Sequence, residues 1–190
     1  MSIKYKNNPA ITTIVLHNTA VSRTAQPLQL SGVNTYHKNK WGMQSELGYY
    51  VGYNFFCEPT GKRTQTRLVG EETIAQIGNN CDVPARCGMI SYCMAGYFIG
   101  NEKPTQMQVD DFVAFVREVQ ATYPDVVLKQ HKDVYPGRTC AELTDAELQQ
   151  WITAPKEPTK AELKAQVEKL TAMNQQLIGM VTTLIKILTK

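Results

Sequence analysis

The first apolar run is ITTIVL at residues 11–16, short, rich in β-branched side chains and nearly unbroken. A run of that kind fits a strand buried on both faces, and it ends at His17. Pro27 suits the first turn of a helix reaching about Lys40. Residues 49–57 are rich in aromatic residues and predict a second strand. Glu58-Pro59-Thr60-Gly61 predicts a turn, and residues 63–69 the returning strand. Residues 89–99 predict another apolar strand. Across residues 104–123, Met107, Phe112, Phe115, Val116 and Val119 recur at helical spacing. Residues 126–128 form a short strand leading into His131. Thr144 followed by Glu147 is a capping box opening a helix through Trp151 and Ile152. Strands and helices alternate irregularly with at least one hairpin, which predicts an α/β fold with a mixed central β-sheet flanked by helices.

The pattern changes near the end of the chain. Pro155 and Pro158 block helix continuation, so residues 154–159 read as a linker between a domain at 1–153 and a C-terminal segment at 160–190. Thr159 with Glu162 is a second capping box. Leu163, Leu170, Leu177 and Leu184 are spaced by seven, each followed four residues later by Val167, Asn174, Val181 and Leu188. These are d and a positions of a coiled-coil-like helix, and Asn174 at an a position is a register-fixing device. The flanking positions are apolar in the second half (Met173, Ile178, Met180, Ile185 and Ile187). A two-stranded coil would leave that surface wet, so homo-oligomerisation into a bundle of three or four helices buries it better. The rival readings are membrane contact, with Lys186 and Lys190 flanking an amphipathic face, and a lone helix folded back on the domain.

Charge sharpens this division. The net charge of the 190-residue chain is +3, and six lysines against three glutamates after Pro155 account for all of it. The preceding segment balances at fourteen basic and fourteen acidic residues, which argues against a nucleic-acid-binding face. A 43% hydrophobic chain of this length buries a core without a disulfide framework. The five cysteines, Cys57, Cys81, Cys87, Cys93 and Cys140, are an odd number. With a polar start and no apolar leader, they favour a reducing cytoplasm and free thiols at Cys81 and Cys87.

Candidate chemistry rests on His17 and His131, each closing a predicted strand, and on Cys140 nine residues beyond His131. Two imidazoles and a thiolate are three zinc ligands with the fourth tetrahedral position open, as hydrolytic sites require. The bland alternative is a core histidine, a surface histidine and a buried cysteine. His37, in TYHKNKW, reads as a solvated helix residue beside Lys38 and Lys40. Trp41 and the tyrosines are either half-buried packing residues or the wall of a sugar-stacking groove. Asp133 either orients a ligand or caps a turn.

Four segments carry a resemblance to a known family: IVLHNTA at 14–20, ELGYYVGYNF at 46–55, MISYCMAG at 89–96 and QHKDVYPGRTC at 130–140. In this order they resemble the zinc N-acetylmuramoyl-L-alanine amidases, the group that includes peptidoglycan recognition proteins and small phage endolysins. The likeness spans about residues 11–151. It implies zinc held by His17, His131 and Cys140. It also implies Tyr49 near the scissile amide, with Tyr50 as an adjacent rival, and Arg138 at a position where many relatives carry a catalytic lysine. A guanidinium does not readily release its proton, so Arg138 would act electrostatically on a developing oxyanion. Two further departures are Ala141 where proline is usual and Cys93 where some relatives place a glutamate.

The implied function is hydrolysis of the amide between N-acetylmuramic acid and L-alanine by zinc-activated water, in a bacteriolytic phage endolysin. Such an enzyme would stay cytoplasmic until released to the cell wall. The alternative is a non-catalytic peptidoglycan-binding or regulatory module with a self-associating tail.

Overall fold

The run at residues 11–16 becomes β1, Thr13–Asn18, with all six residues buried. The structure, a computed structural model, describes residues 2–6, 10–22, 30–73, 88–98, 102–135, 137, 140, 143–153 and 160–188. The chain divides into two units, Met1–Ile152 and Thr153–Lys190. In the first, β1 is followed by α1 (Leu30–Trp41), β2 (Phe55–Cys57), β3 (Arg63–Gln65), β4 (Met89–Met94), α2 (Gln106–Gln120), β5 (Val127–Gln130), the short turn α3 (His131–Val134) and α4 (Asp145–Thr153). The strands form one sheet in the order β3-β2-β4-β1-β5. Only β2 and β3 pair antiparallel; the other three pairings are parallel, so the sheet is mixed as the alternation predicts.

Both faces of the sheet are covered, which explains why β1 reads as a continuous apolar run. Ile14 and Leu16 of β1, Phe55 of β2 and Ile90, Tyr92 and Met94 of β4 join the larger core, into which α2 sends Phe112, Phe115, Val116 and Val119. Burying each such side chain contributes about 1.5–3 kcal/mol. Phe56 and Cys93 belong to a smaller cluster with Val51, Tyr53 and Ala95, against which Leu30 and Val33 of α1 pack. Thr105 caps α2 in a box with Gln108, a signal the apolar spacing did not carry, and Met107 is exposed instead of facing the core. Thr144 and Glu147 form the expected box at α4.

The strand predicted at residues 49–57 survives only as Phe55–Cys57. Its first half turns with Gly48 at φ +86°, and its backbone is held by side chains instead of a ladder. Tyr50 N–H donates to Asn34 Oδ1, Gly52 N–H to His37 Nδ1, and Val51 C=O accepts from Arg67 Nε. Aromatic composition alone does not reveal those competing partners. The predicted strand at 89–99 ends at Met94, because the chain then turns to Gly96 at φ +151°. A Cβ there would lie 2.3 Å from Phe98 Cε1. The returning strand at 63–69 is three residues long, with Val69 making a separate bridge to Tyr5. The proposed helix start at Pro27, the linker at 154–159 and the capping box at Thr159 lie outside the described residues.

The second unit is α5, Lys160–Leu188, 29 residues and about 44 Å long at about 1.5 Å per residue. Its apolar side chains are exposed, from 47% at Leu163 to 77% at Leu188. Among the described residues, no helix is long and apolar enough to cross a membrane.

Candidate metal centre

Parallel pairing brings the strand ends to one level. Leu16 of β1 faces Gln130 of β5, so His17, the next residue of β1, and His131, the first residue after β5, emerge side by side. Their rings lie 4.4 Å apart between centroids. On the other side of β1, His17 is in register with Cys93 of β4. In parallel sheets the carboxyl ends of strands are where sites form, since the chain leaves them in loops that differ in course.

Local contacts lock these ends. Thr19 Oγ1 donates to the Gly96 carbonyl and accepts from its N–H, tying the exit of β1 to the exit of β4. Asn18 Oδ1 accepts from Ala20 N–H, in a turn that holds Ala20 at φ +54°. Asp133 Oδ2 accepts from Gln130 N–H at 2.7 Å, so Asp133, two residues after His131, caps the start of α3. The fully buried Gln130 amide treats Leu143 as a strand partner would: Nε2 donates to its carbonyl at 2.8 Å and Oε1 accepts from its N–H at 3.0 Å. That pair fixes Leu143, three residues after Cys140, against the end of β5.

Cys140 completes the cluster. Its Sγ lies 2.8 Å from His131 Nδ1 and 3.6 Å from His17 Nδ1. The ligand atoms of His17, His131 and Cys140 all lie within 4.8 Å of one another. A tetrahedral zinc with nitrogen at about 2.0–2.1 Å and sulfur at about 2.3 Å sets nitrogen and sulfur about 3.5 Å apart. The His17 separation matches that span, and the donor set of two imidazoles and one thiol is one zinc favours. Among the described residues the cluster has these three ligands and no fourth, which leaves a coordination position open. Both histidines are at least nine-tenths buried, so the site is shielded on the protein side.

The tyrosine that meets this cluster is Tyr53, whose ring lies 5.2 Å from that of His17. Burial, then the neighbouring Cys93 and Cys140, pushes its phenol well above the ordinary tyrosine range, so it remains a proton donor at neutral pH. Burial and Cys140 likewise push the Cys93 thiol up, while a hydrogen bond with Tyr53 acts the other way. Tyr49 instead packs at the edge of the smaller apolar cluster. It lines a shallow depression with Leu30, Ser31, Asn34, Glu58 and Lys62. Within residues 46–55 a Gly-Tyr pair occurs twice, at 48–49 and 52–53, and of these the second carries a tyrosine onto His17. Arg138, Cys81 and Cys87 lie outside the described residues.

His37 corrects the expectation of a solvated side chain: it is 5% exposed and its ring lies 4.4 Å from Trp41. Trp41 lies one turn along α1, but Gly52 and Tyr53, which also meet the His37 ring, come from the loop at 50–53, too distant in sequence for helical periodicity to show them. Trp41 and Tyr36 are partly exposed and carry Lys40 above their rings.

Comparison with known proteins agrees with this architecture. The family model for N-acetylmuramoyl-L-alanine amidase matches residues 6–142. No curated protein sequence matches. Among solved structures, the N-acetylmuramoyl-L-alanine amidase LysC from Clostridium intestinale URNW is 21% identical, covers 79% of this chain and 95% of its own, and has a TM-score of 0.58. The Ph2119 endolysin from Thermus scotoductus MAT2119 bacteriophage Ph2119 is 16% identical over 79% of this chain and 89% of its own, with a TM-score of 0.53. Drosophila peptidoglycan recognition protein SA is 17% identical over 83% of this chain and 88% of its own, with a TM-score of 0.58. At these identities the likeness is one of fold.

Proposed function

Because the chain belongs to the N-acetylmuramoyl-L-alanine amidase family, we propose that it cleaves the amide between N-acetylmuramic acid and L-alanine with a zinc ion held by His17, His131 and Cys140. The observation that carries this reading is the convergence of those three ligands from two strand ends and one loop. Zinc bound there would lower the pKa of a water to about 7 and polarise the scissile carbonyl. The chain's own residues do the rest. Burial of His17 and His131 holds their rings in one orientation. Tyr53, kept protonated, donates a hydrogen bond to the oxyanion that develops as the carbonyl is attacked, a role the ring contact favours for Tyr53 over Tyr49. Arg138, two residues before Cys140 in the sequence, is the cation we assign to the same developing oxyanion. With Cys93 on the central strand in place of a carboxylate, no acidic residue of β4 serves as general base.

The wider biological setting is also our reading. An endolysin held in the cytoplasm until the membrane opens accords with the thiols of Cys57 and Cys93, which form no disulfide. Self-association through α5 accords with its heptad pattern and exposed apolar face. Light scattering on the full chain and on a chain ending at Pro158 tests the tail: equal protomer numbers remove the oligomer claim, and vesicle binding by the full chain alone supports the membrane rival.

The test of the main reading combines metal analysis with digestion of purified cell wall. Wild type should carry one zinc per chain and release peptides with free N-terminal alanine. In Cys140→Ser both should fall, activity by on the order of 100-fold. Normal cleavage by that variant would sink the zinc assignment.

A further inference from the structure

Residues 50–52 lie beside the sheet without joining it, and each has a backbone group held by a side chain. Asn34 and His37, on one face of α1, take the N–H groups of Tyr50 and Gly52 at 2.6 and 3.0 Å. Arg67 Nε donates to the Val51 carbonyl at 2.6 Å. The next residue is Tyr53, whose carbonyl accepts from Thr66 Oγ1 at 2.7 Å and whose ring rests on His17. The His37 ring also touches this tyrosine, with centroids 5.8 Å apart. A continuous set of contacts thus runs from α1 through the Gly52 amide to the tyrosine over the metal ligands.

We propose that His37 is a positioning residue for the amidase reaction: its Nδ1, by accepting the Gly52 N–H, sets where Tyr53 presents its hydroxyl. The inference rests on the assignment of Tyr53 to the oxyanion made above. It needs a neutral imidazole with the proton on Nε2, since a protonated ring has no acceptor. Burial, with Lys40 and Arg67 nearby, lowers the His37 pKa to about 4, so the acceptor persists through neutral pH. A histidine serving only as packing would have no need of an acceptor aimed at one buried amide. His37 is 5% exposed, with Trp41 tilted against its ring at 4.4 Å, so water has little access to compete for that bond.

The experiment compares full-length, zinc-loaded His37→Leu, His37→Asn and Tyr53→Phe on a soluble peptidoglycan fragment, together with hydrogen exchange at the Gly52 amide in metal-free protein. Leucine removes the acceptor at similar volume; asparagine places Oδ1 near the position of Nδ1. Leucine should lower kcat about tenfold or more with KM little changed, as small misplacements of a reacting group do. It should speed Gly52 exchange at least about tenfold, and asparagine should largely restore both. If His37→Leu does not fold, His37→Gln takes its place, since its amide oxygen lies beyond the Nδ1 position; equal kcat for the Gln and Asn variants then overturns the proposal. A normal kcat for His37→Leu alongside a slowed Tyr53→Phe overturns the positioning role alone. A normal kcat for Tyr53→Phe overturns the tyrosine assignment, and the role of His37 falls with it.

Discussion

Gln130→Met tests how Cys140 is held to His17 and His131. Methionine matches the length of glutamine but forms no pair with Leu143. The Leu143 N–H, in a residue 1% exposed, then loses the acceptor it now has at 3.0 Å. An orphaned buried donor costs about 1–3 kcal/mol. The Leu143 carbonyl suffers less, because Lys132 Nζ also donates to it at 3.0 Å. The weak contact of Gln130 with Asp145 at 3.4 Å adds little. The loss is therefore about 2 kcal/mol, carried by one donor, and not twice that. For a domain of this size, about 2–4 °C of melting temperature per kcal/mol predicts a drop of about 4–8 °C. Thermal unfolding followed by circular dichroism, in metal-free protein, measures it directly. The same change should speed zinc loss to a chelator, since the loop bearing Cys140 is then less firmly fixed to β5. A melting temperature within about 1 °C of wild type would refute the claim that this amide pair secures the loop. A large drop with unchanged zinc release would confine its role to stability.

Arg67→Met should destabilise the first unit by about 3–5 kcal/mol, read from urea unfolding. The buried guanidinium serves the Val51 and Met43 carbonyls at 2.6 Å each and faces Glu71 at 3.5 Å, and its loss leaves that carboxylate buried with less compensation. Glu147→Gln should destabilise the protein at pH 5–7 and not near pH 2. The Lys103 and Thr144 hydrogen bonds lower the Glu147 pKa from 4.5 to about 2. A depressed carboxylate contributes stability above its unfolded value and loses it as pH falls through the folded one. Urea midpoints of the two proteins should therefore converge between pH 4.5 and pH 2, and a constant gap would remove the charge from the explanation. Removing zinc with a chelator should lower the melting temperature of wild type while leaving Cys140→Ser nearly unmoved, because ligand binding stabilises only the protein that binds.

The sequence by itself determined the elements whose signal is local. A buried parallel strand must be apolar on both faces, so ITTIVL announced β1. A capping box needs only residues three apart, so Thr144 and Glu147 announced α4. The candidate cluster of His17, His131 and Cys140 was also legible, because the strand ends and the ordered motifs mark these residues in the chain. Tertiary structure decided what depends on partners remote in sequence. The strand expected at 49–57 shrank because Asn34, His37 and Arg67 took its backbone groups. His37 went inside because the loop at 50–53 folds over it. Of the Gly-Tyr pairs at 48–49 and 52–53, the one whose tyrosine carbonyl is held by Thr66, thirteen residues on, brought its ring onto His17. Periodicity reports which side of an element is apolar; it holds no information about which distant polar group will satisfy a buried amide, and that choice shaped the surroundings of the metal ligands.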